Sequence, residues 1–502
     1  MRAGTAGVAG QRRDLTAGVS EGVAALAALA LSLIVVAHLV ASDRVALLYS
    51  DGDSLVTVLV ARSLAAGQPQ DWAMSSVLFL PEIAAFFGLS LLGLPIIATL
   101  TLNAVLNLLA LYAALRFIAT TRGAALAGFG AFAGIALLES SASRESLELA
   151  SLMAMTTYYS ATALGVLVSI GLIRRLPGRP AVMLVIGIIA LVCTTSNPIY
   201  LAWAVVPLCL ALAVARHLPA RARLVAAGAL VGGAGLGMLA RIPLAPWITN
   251  TGAGYVQPER WTESLGYYGG LVADRVQDAG GLIAVLAWGI LLGLGIALTV
   301  VALRRRDATS TLLAFLSWMP PLLVILGAIA LGTHAARYLQ PAVFLPVLAL
   351  VVLGRMVPPV HRAVLPAVTV LLIVIAAIAT PPLVQAASRQ YPSADVECVA
   401  DWVDDSGRVG AGQFWSVRAP KAYADDPSQL VQVDVALNAY AWLVNRSDFE
   451  PGAVSYLVTD DQSFDFDLPG DIADKQTASI DCGSYRILDF QRSIVPIGPP
   501  HS

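Results

Sequence analysis

The chain has 502 residues, of which 57% are hydrophobic and only 13% are charged, and its mean hydropathy is +0.75. This composition excludes an ordinary soluble globular protein and is typical of a chain that crosses a membrane several times. The formal net charge of −2, without a basic stretch interleaved with aromatic residues, predicts no nucleic-acid partner.

Apolar stretches that approach the roughly 20 residues needed for a membrane-spanning helix recur along the chain. About eleven spans are predicted, over 20–40, 95–117, 123–138, 150–173, 180–196, 198–215, 224–240, 280–303, 309–332, 338–354 and 363–385. The stretch 77–94 is also apolar, but Pro81, Glu82 and Pro95 interrupt it, so a re-entrant or interfacial segment is predicted there. The first apolar run lacks a cleavage site and is predicted to be a retained anchor.

Arginine occupies alternate loops between these spans. The clusters are Arg12 and Arg13; Arg116 and Arg122; Arg174, Arg175 and Arg179; Arg216, Arg221 and Arg223; Arg304, Arg305 and Arg306; and Arg355 and Arg362. Positive residues favour the cytoplasmic side, so the pattern predicts a cytoplasmic N-terminus and a C-terminus outside the cell membrane, provided that 77–94 does not cross.

Two carboxylates, Asp51 and Asp53, follow the first predicted span and begin the first external loop, 41–94. An acidic pair at a membrane exit can act as a general base, hold a metal ion or bind a polar substrate. The alternative is structural, because Asp53 or Ser54 could cap an amphipathic helix over 55–65.

A second group of polar residues lies at the outer mouth of the ninth and tenth spans, where His334, Arg337 and Tyr338 precede Pro341. The planar fork of an arginine can hold two phosphate oxygens, and an imidazole can donate a further hydrogen bond. The alternative is an arginine that reaches lipid headgroups. Other ionisable or aromatic residues near the outer ends of spans extend the candidate substrate-binding set to Glu82, Arg144 and Trp72.

The composition changes near residue 386, where acidic residues become frequent, and this predicts two domains: a membrane domain over 1–385 and an extracytoplasmic soluble domain over 386–502. Strand-like runs at 413–417, 454–459 and 485–490 and a helical stretch near 433–444 predict a mixed α/β fold. Cys398 and Cys482 bracket most of this domain, and an oxidising compartment favours a disulfide between them; two buried thiols are the alternative. The fold class is therefore mainly α, a polytopic helical membrane protein with a C-terminal α/β domain.

The acidic pair Asp51-Gly52-Asp53 in the first external loop, the many spans, the outer-mouth His334-Ala335-Ala336-Arg337-Tyr338 and the C-terminal domain together resemble the GT-C glycosyltransferases. The segment 412–418 is also similar to soluble tails of members of this group. The resemblance implies a polyprenyl-phosphate-linked sugar as donor, Asp51 or Asp53 as the base, and Arg337 with His334 as the phosphate-binding residues. Better-known members have adjacent acids, whereas Gly52 separates them here, so which acid acts stays open.

The resemblance leaves metal use open as well, and the acidic pair could hold Mg²⁺ or Mn²⁺. The predicted function is transfer of a hexosyl or pentosyl group to a cell-envelope glycan, lipid or protein on the outer face of a bacterial cell membrane. Three alternatives stay open: a lipid-sugar flippase or transporter lined by Asp51, Glu82, Glu139 and Arg337, a non-catalytic envelope scaffold, and a polysaccharide polymerase or ligase.

Overall fold

The structure, a computed structural model, describes most of the chain. The described residues are 4–140, 147, 149–175, 180–250, 254, 256–356, 370, 374, 377, 380–381, 384–468, 470–492 and 494–502. This part of the chain is mainly helical and ends in a small domain built around a β-sheet, as the sequence predicts.

Seven helices of the described chain are long and apolar enough to cross a membrane: Glu21–Ala41, Ile96–Ile118, Arg122–Ser140, Ala220–Ala240, Ala279–Arg304, Ala308–Ala330 and Ala336–Met356. Five shorter apolar helices accompany them: Val56–Ala65, Leu80–Ser90, Ser160–Ile173, Ala181–Ser196 and Leu201–Val214. Every predicted span matches one of these helices except 363–385, most of which lies outside the described residues. The chain is thus a polytopic helical membrane protein.

The fourth predicted span, 150–173, is helical only in its second half. The α-helix is Ser160–Ile173, and Ser151–Ala154 forms a single 3₁₀ turn before it. Residues 155–159 are instead an irregular segment that packs against the first loop through Thr156 and Thr157. The apolar composition of 150–159 therefore reflects burial against protein and not a helical span.

The interrupted segment 77–94 forms the helix Leu80–Ser90, which has 11 residues. At 1.5 Å per residue such a helix is about 16 Å long, roughly half of a hydrocarbon core. It begins against the end of another helix, where Leu78 N donates to Ser196 O at 2.8 Å and Leu80 N donates to Ser196 Oγ at 3.0 Å. The segment is too short to cross.

Two arginines that flank one loop contact the start of the first span at one end of the helical bundle. Glu21, at the start of that span, accepts hydrogen bonds from Arg116 at 2.5 Å and from Arg122 at 2.6 Å. Because the span Glu21–Ala41 has 21 residues, it holds this end about 30 Å away from the loop that carries the acidic pair. This arginine cluster and the acidic pair therefore lie at opposite ends of the first span.

The C-terminal domain is built on a five-stranded sheet in the order Leu430–Gln432, Gly410–Gly412, Tyr456–Asp460, Tyr485–Asp489 and Ala478–Cys482. The first three strands are parallel and the last two pair antiparallel. The helices Ala394–Ser406, Phe414–Tyr423 and Gly470–Ala473 complete the domain together with the short strands Asn438–Tyr440, Val444–Asn445, Ala453–Val454, Val495–Pro496 and Gly498–His501. The side chains of Val399, Val403 and Val417 pack against Tyr456 and Ile487 of the sheet.

Two element predictions in this domain are wrong, while the strands predicted at 454–459 and 485–490 are found. The stretch 413–417 is helical, because Phe414 and Val417 are buried at helical spacing. The stretch 433–444 is not a helix: Asp434 accepts a hydrogen bond from Asn438 N at 2.8 Å and thereby stabilises a turn between short bridging strands. A disulfide joins Cys398 to Cys482, with their Cα atoms 5.6 Å apart.

Candidate functional site

The acidic pair lies in a turn between the helices Val45–Tyr49 and Val56–Ala65. Asp51 Oδ2 accepts hydrogen bonds from Ser54 N at 2.8 Å and from the Tyr158 hydroxyl at 3.1 Å. Leu55 occupies the cap position of the following helix, and no side chain caps that helix. The helix-cap alternative for Asp53 or Ser54 is therefore wrong, and Asp51 instead holds the turn together.

Asp53 faces Arg337, with 3.4 Å between Asp53 Oδ2 and Arg337 Nη1. The two side chains are 17% and 31% exposed, respectively. The distance is longer than the usual 2.7–2.9 Å of a charge-assisted hydrogen bond. The first loop and the mouth of the ninth and tenth predicted spans, which are 284 residues apart in sequence, thus place opposite charges side by side.

Burial and mutual repulsion disfavour ionisation of the two acids. Burial, followed by the charge of Asp53, raises the pKa of Asp51 from 3.8 to about 6. Burial also raises the pKa of Asp53, but the positive charges of Arg337 and then of Arg418 oppose this increase. The arginines therefore favour the ionised form of Asp53, while the pKa of Asp51 is about 6.

The irregular segment before Ser160 fixes the backbone of the acidic turn. Thr156 Oγ1 donates to Ser54 O at 2.5 Å, and Thr157 Oγ1 donates to Asp53 O at 3.0 Å. The segment is held in turn by Gln340, whose Nε2 donates to Tyr158 O at 2.6 Å. Both threonines lie in a stretch that the sequence predicts to be a membrane span, so they are not among the predicted site residues.

The C-terminal domain contacts the same turn from the helix Phe414–Tyr423. Arg418 Nε donates to Gly52 O at 3.2 Å, and Arg418 Nη1 donates to Leu443 O at 2.7 Å. A Cβ atom at Gly52 would lie 2.8 Å from the ring of Phe414. Glycine therefore separates the two acids because the C-terminal domain packs against the turn at this position.

The first loop and the C-terminal domain are also joined by backbone pairing and an ion pair. Trp72 and Ala73 form a two-residue antiparallel strand pair with Asn445 and Val444, and Arg446 binds Asp71 at 2.6 Å. Trp72 is 7% exposed and belongs to this interface, so it lies in neither of the two cavities that border Arg337.

Two cavities adjoin Arg337. The larger has a volume of about 490 Å³ and is lined by several leucines and by polar residues that include Gln257, Arg260, His334 and Arg337. The smaller, of about 30 Å³, is lined by Asp53, Ser75, Ser76, Tyr159, Tyr338, Trp442 and others, and it has room for about one water-sized group. Arg337 and Tyr158 line both cavities and therefore form the wall between them.

The remaining predicted site residues lie in different places. His334 borders the larger cavity, where its ring is 5.3 Å from that of Tyr267, and Tyr338 borders the smaller one. Glu82 is buried elsewhere, against the start of the helix Ser160–Ile173, where its Oε1 accepts a hydrogen bond from Ala161 N at 3.3 Å. Arg144 lies outside the described residues.

Within the described ranges, no group of three His, Cys, Asp or Glu side chains could enclose a metal ion. The predicted ligands are two carboxylates, and Asp51 already accepts two hydrogen bonds. Mg²⁺ commonly shares one or two carboxylates with the phosphate oxygens of a substrate. A divalent ion at this pair would therefore need further oxygen ligands besides the two carboxylates.

Comparison with known proteins gives structural similarity only. No protein-family model matches the chain, and no curated protein matches it. Among solved structures, an Archaeoglobus fulgidus oligosaccharyltransferase tethered to an acceptor peptide is 14% identical, at a TM-score of 0.41, over 86% of this chain and 69% of that one. The same organism's enzyme in complex with Zn and sulfate is 12% identical, at 0.39, over 85% and 68% of the two chains. Its complex with an inhibitory peptide and a dolichol-phosphate is 14% identical, at 0.34, over 86% and 69%.

Proposed function

We propose that the protein is a membrane glycosyltransferase with a GT-C-like site, which transfers a sugar from a polyprenyl-phosphate donor to a hydroxyl group of a cell-envelope glycan, lipid or protein. The observation that carries the proposal is the pairing of Asp53 with Arg337 at the wall between two cavities. Such a pair supplies both groups that glycosyl transfer requires: a base for the acceptor and a cation for the departing phosphate.

The larger cavity suits the donor. Arg337, Arg260 and His334 border it with polar groups, and Leu147, Leu149 and other leucines supply an apolar side. A lipid-linked phosphate needs this combination, because its headgroup requires hydrogen-bond donors and its chain requires apolar contact. Its volume of about 490 Å³ is within the range of small-molecule sites.

The smaller cavity suits the reacting hydroxyl of the acceptor, and Asp53 borders it. We assign the base to Asp53, because Asp51 Oδ2 already accepts hydrogen bonds from Ser54 and Tyr158. Asp53 takes the proton of the acceptor hydroxyl, and the hydroxyl oxygen forms a bond to the anomeric carbon of the sugar. The bond from that carbon to the phosphate oxygen breaks, and its electron pair leaves with the polyprenyl phosphate. Direct attack of this kind inverts the anomeric configuration.

Arg337 has two roles in this scheme. It pairs with Asp53 at a long 3.4 Å, and it also borders the donor cavity. The phosphodiester of the donor carries one negative charge and can accept two parallel bonds from a guanidinium, and the departing polyprenyl phosphate gains a second negative charge as the bond to the sugar breaks. Donor binding therefore competes with Asp53 for Arg337, and the carboxylate becomes more basic once the donor is in place. A divalent ion held by Asp51 and Asp53 would add positive charge beside the same phosphate.

The proposal includes a location. The arginine-bearing end of the bundle is assigned to the cytoplasm, and the acidic turn, both cavities and the C-terminal domain are assigned to the outer face of a bacterial inner membrane. The alanine-rich, arginine-rich and lysine-poor composition supports a bacterial source of high GC content.

The test is transfer of radiolabelled sugar from a panel of hexosyl and pentosyl polyprenyl-phosphate donors to native membrane lipids and glycans, with and without a chelator. Asp53→Asn should lower turnover by about 10²–10⁴-fold, and Arg337→Ala should abolish it. Asp71→Asn is the matched control, because this acid of the same loop pairs with Arg446 outside both cavities, and it should retain turnover.

The outcomes separate the proposed function from its alternatives. If folded wild-type protein moves donor across vesicles without consuming it, the flippase is correct. If it neither consumes nor moves any donor in the presence of native acceptors, the scaffold gains support. If Asp51→Asn abolishes transfer while Asp53→Asn retains it, the assignment of the base is wrong.

A further inference from the structure

The C-terminal domain places a buried arginine against the acidic turn. Arg418 is fully buried, and it is one of the largest side chains that the structure encloses completely. Its Nε and Nη1 donate to the carbonyl oxygens of Gly52 and Leu443, and among the described residues its Nη2 has no hydrogen-bond partner. A buried arginine is costly unless nearby negative charge compensates it.

The negative charges near Arg418 indicate which part of the molecule it stabilises. The acids that interact electrostatically with Arg418 are, in order, Asp53, Asp448 and Asp51. Asp448 already forms an ion pair with Lys421 at 2.8 Å. The strongest of the three interactions is thus with the carboxylate that faces Arg337, although Arg418 belongs to a different domain.

We propose that Arg418 is a positioning residue, through which the C-terminal domain holds the Gly52 carbonyl and maintains a second positive charge beside Asp53. Arg337 is shared with the donor cavity, whereas Arg418 borders neither cavity and is held by two carbonyl groups. Arg418 therefore stays beside the turn when a phosphate engages Arg337. It thereby holds the backbone of the turn in place beside the cavity that Asp53 borders.

Other charged and titratable groups also face Asp53. They are Asp51 from the same turn, Arg337 from the segment Ala336–Leu339, and Tyr158 and Tyr159 from the segment before Ser160. Arg337 and Arg418 are the two cations that lower the pKa of Asp53. Replacing Arg418 by a neutral residue therefore removes one positive charge beside Asp53 together with the hydrogen bonds to the Gly52 and Leu443 carbonyl groups.

The first test does not depend on activity. Thermal unfolding midpoints of the detergent-solubilised protein are measured for Arg418→Gln, Asp53→Asn and the double variant. Because the two charges attract, Arg418→Gln should lower the midpoint less in the Asp53→Asn background, by on the order of 1–2 °C. The matched control is Lys421→Gln in the same helix. Lys421 is 2% exposed and pairs with Asp448, so Lys421→Gln should lower the unfolding midpoint equally in the wild type and in Asp53→Asn. Equal costs for Arg418→Gln would overturn the proposal.

The second test rests on the proposed function and measures kcat and KM for the donor. Arg418→Gln should lower kcat about tenfold at an unchanged KM, because Arg418 holds the acidic turn but borders neither cavity, whereas Lys421→Gln should leave both values in place. An unchanged kcat in Arg418→Gln would contradict the proposal. If the wild type shows no turnover, the proposed function fails, while the unfolding experiment still decides whether Arg418 and Asp53 interact.

Discussion

Gly52 shows how one missing side chain joins two domains. The backbone of Gly52 does not have the positive φ that would itself require glycine. Glycine is required here for lack of space, because an added Cβ would lie 2.8 Å from Phe414 Cε1 and 3.3 Å from Arg418 Cγ. The spacing of the two acids is therefore coupled to the identity of residues in the C-terminal domain.

Gly52→Ala should destabilise the protein by about 1–3 kcal/mol, because the new methyl group overlaps the ring of Phe414. The measurement is the thermal unfolding midpoint, and Phe414→Leu in the same chain should recover part of the loss. Gly88→Ala is the control, because no atom lies within 4 Å of the Cβ position there. An unchanged midpoint in Gly52→Ala would show that the domain does not pack against the turn in this way.

Asp51 gives a prediction about pH. Burial raises the pKa of Asp51 from 3.8 to about 6, so between these pH values the native state binds more protons than the unfolded chain. The free energy of unfolding therefore decreases as pH rises through this window. Asp51→Asn removes the effect, and its midpoint relative to wild type should increase by on the order of 2 °C between pH 4 and pH 7.

The control for this pH series is Asp461→Asn, which replaces an exposed acid of the C-terminal domain. Its midpoint relative to wild type should be constant across the same range. A constant difference for Asp51→Asn as well would mean that the Asp51 carboxyl is ionised at little cost in the native state.

The sequence identifies several of the individual groups that meet at the wall between the cavities, but not their contacts. Asp51, Asp53 and Arg337 are conspicuous as charges near span ends in a chain with 13% charged residues. Arg418 is not conspicuous, because it lies in a soluble segment where charge is ordinary. Its contact with Gly52 joins residues 366 positions apart, and local pattern carries no information about such a pairing.

At the scale of elements, predictions succeed where a stretch long enough to span a membrane is apolar along its length. The seven long helices of the described chain are of this kind, so composition alone identifies them. The segment 150–159 is also apolar, yet it is mostly irregular, because the side chains of its threonines bond to the backbone of the acidic turn. Tertiary contacts decide its conformation, and a sequence window does not contain them.

The helix Phe414–Tyr423 carries a buried ion pair that offers a stability test. Lys421 is 2% exposed and binds Asp448 at 2.8 Å and two carbonyl oxygens. Asp448→Asn leaves the ammonium without its counter-ion and should cost about 3–5 kcal/mol in unfolding free energy, whereas the double variant Lys421→Met with Asp448→Leu should cost much less.

The other lysine of the chain is a matched control. Lys475 pairs with Asp471 one helical turn away, but the two side chains are 56% and 74% exposed. Lys475→Met should therefore change the unfolding free energy by less than about 1 kcal/mol. Equal losses for Asp448→Asn and Lys475→Met would indicate that water reaches the Lys421 pair.

At the scale of the whole molecule, the first loop and the C-terminal domain lie on the same side of the bundle, because they share a strand pair and an ion pair. The number of crossings between them is therefore even. The eleven predicted spans meet this requirement, since ten follow the first loop. Labelling from outside the cell measures on which side of the membrane both regions lie.

A membrane-impermeant maleimide should label Phe464→Cys in intact cells and Arg305→Cys only after permeabilisation. Phe464 is 73% exposed in the C-terminal domain. Arg305 is exposed in the arginine cluster that follows the helix Ala279–Arg304, in a loop predicted to be cytoplasmic. Wild-type protein gives the background from Cys193 and Cys209. The reverse labelling pattern would place the acidic turn in the cytoplasm.

The contact between Gly52 and Arg418 also has a consequence for the order of events during synthesis. The ribosome makes the acidic turn early and the arginine 366 residues later, so at 5–20 residues per second the turn waits roughly 20–70 s for its partner. The first loop must therefore persist for that time without the helix that covers it. An unfinished chain carries both carboxylates but not the domain that contacts them, so the acidic turn gains these contacts only after the C-terminal domain has been made and folded.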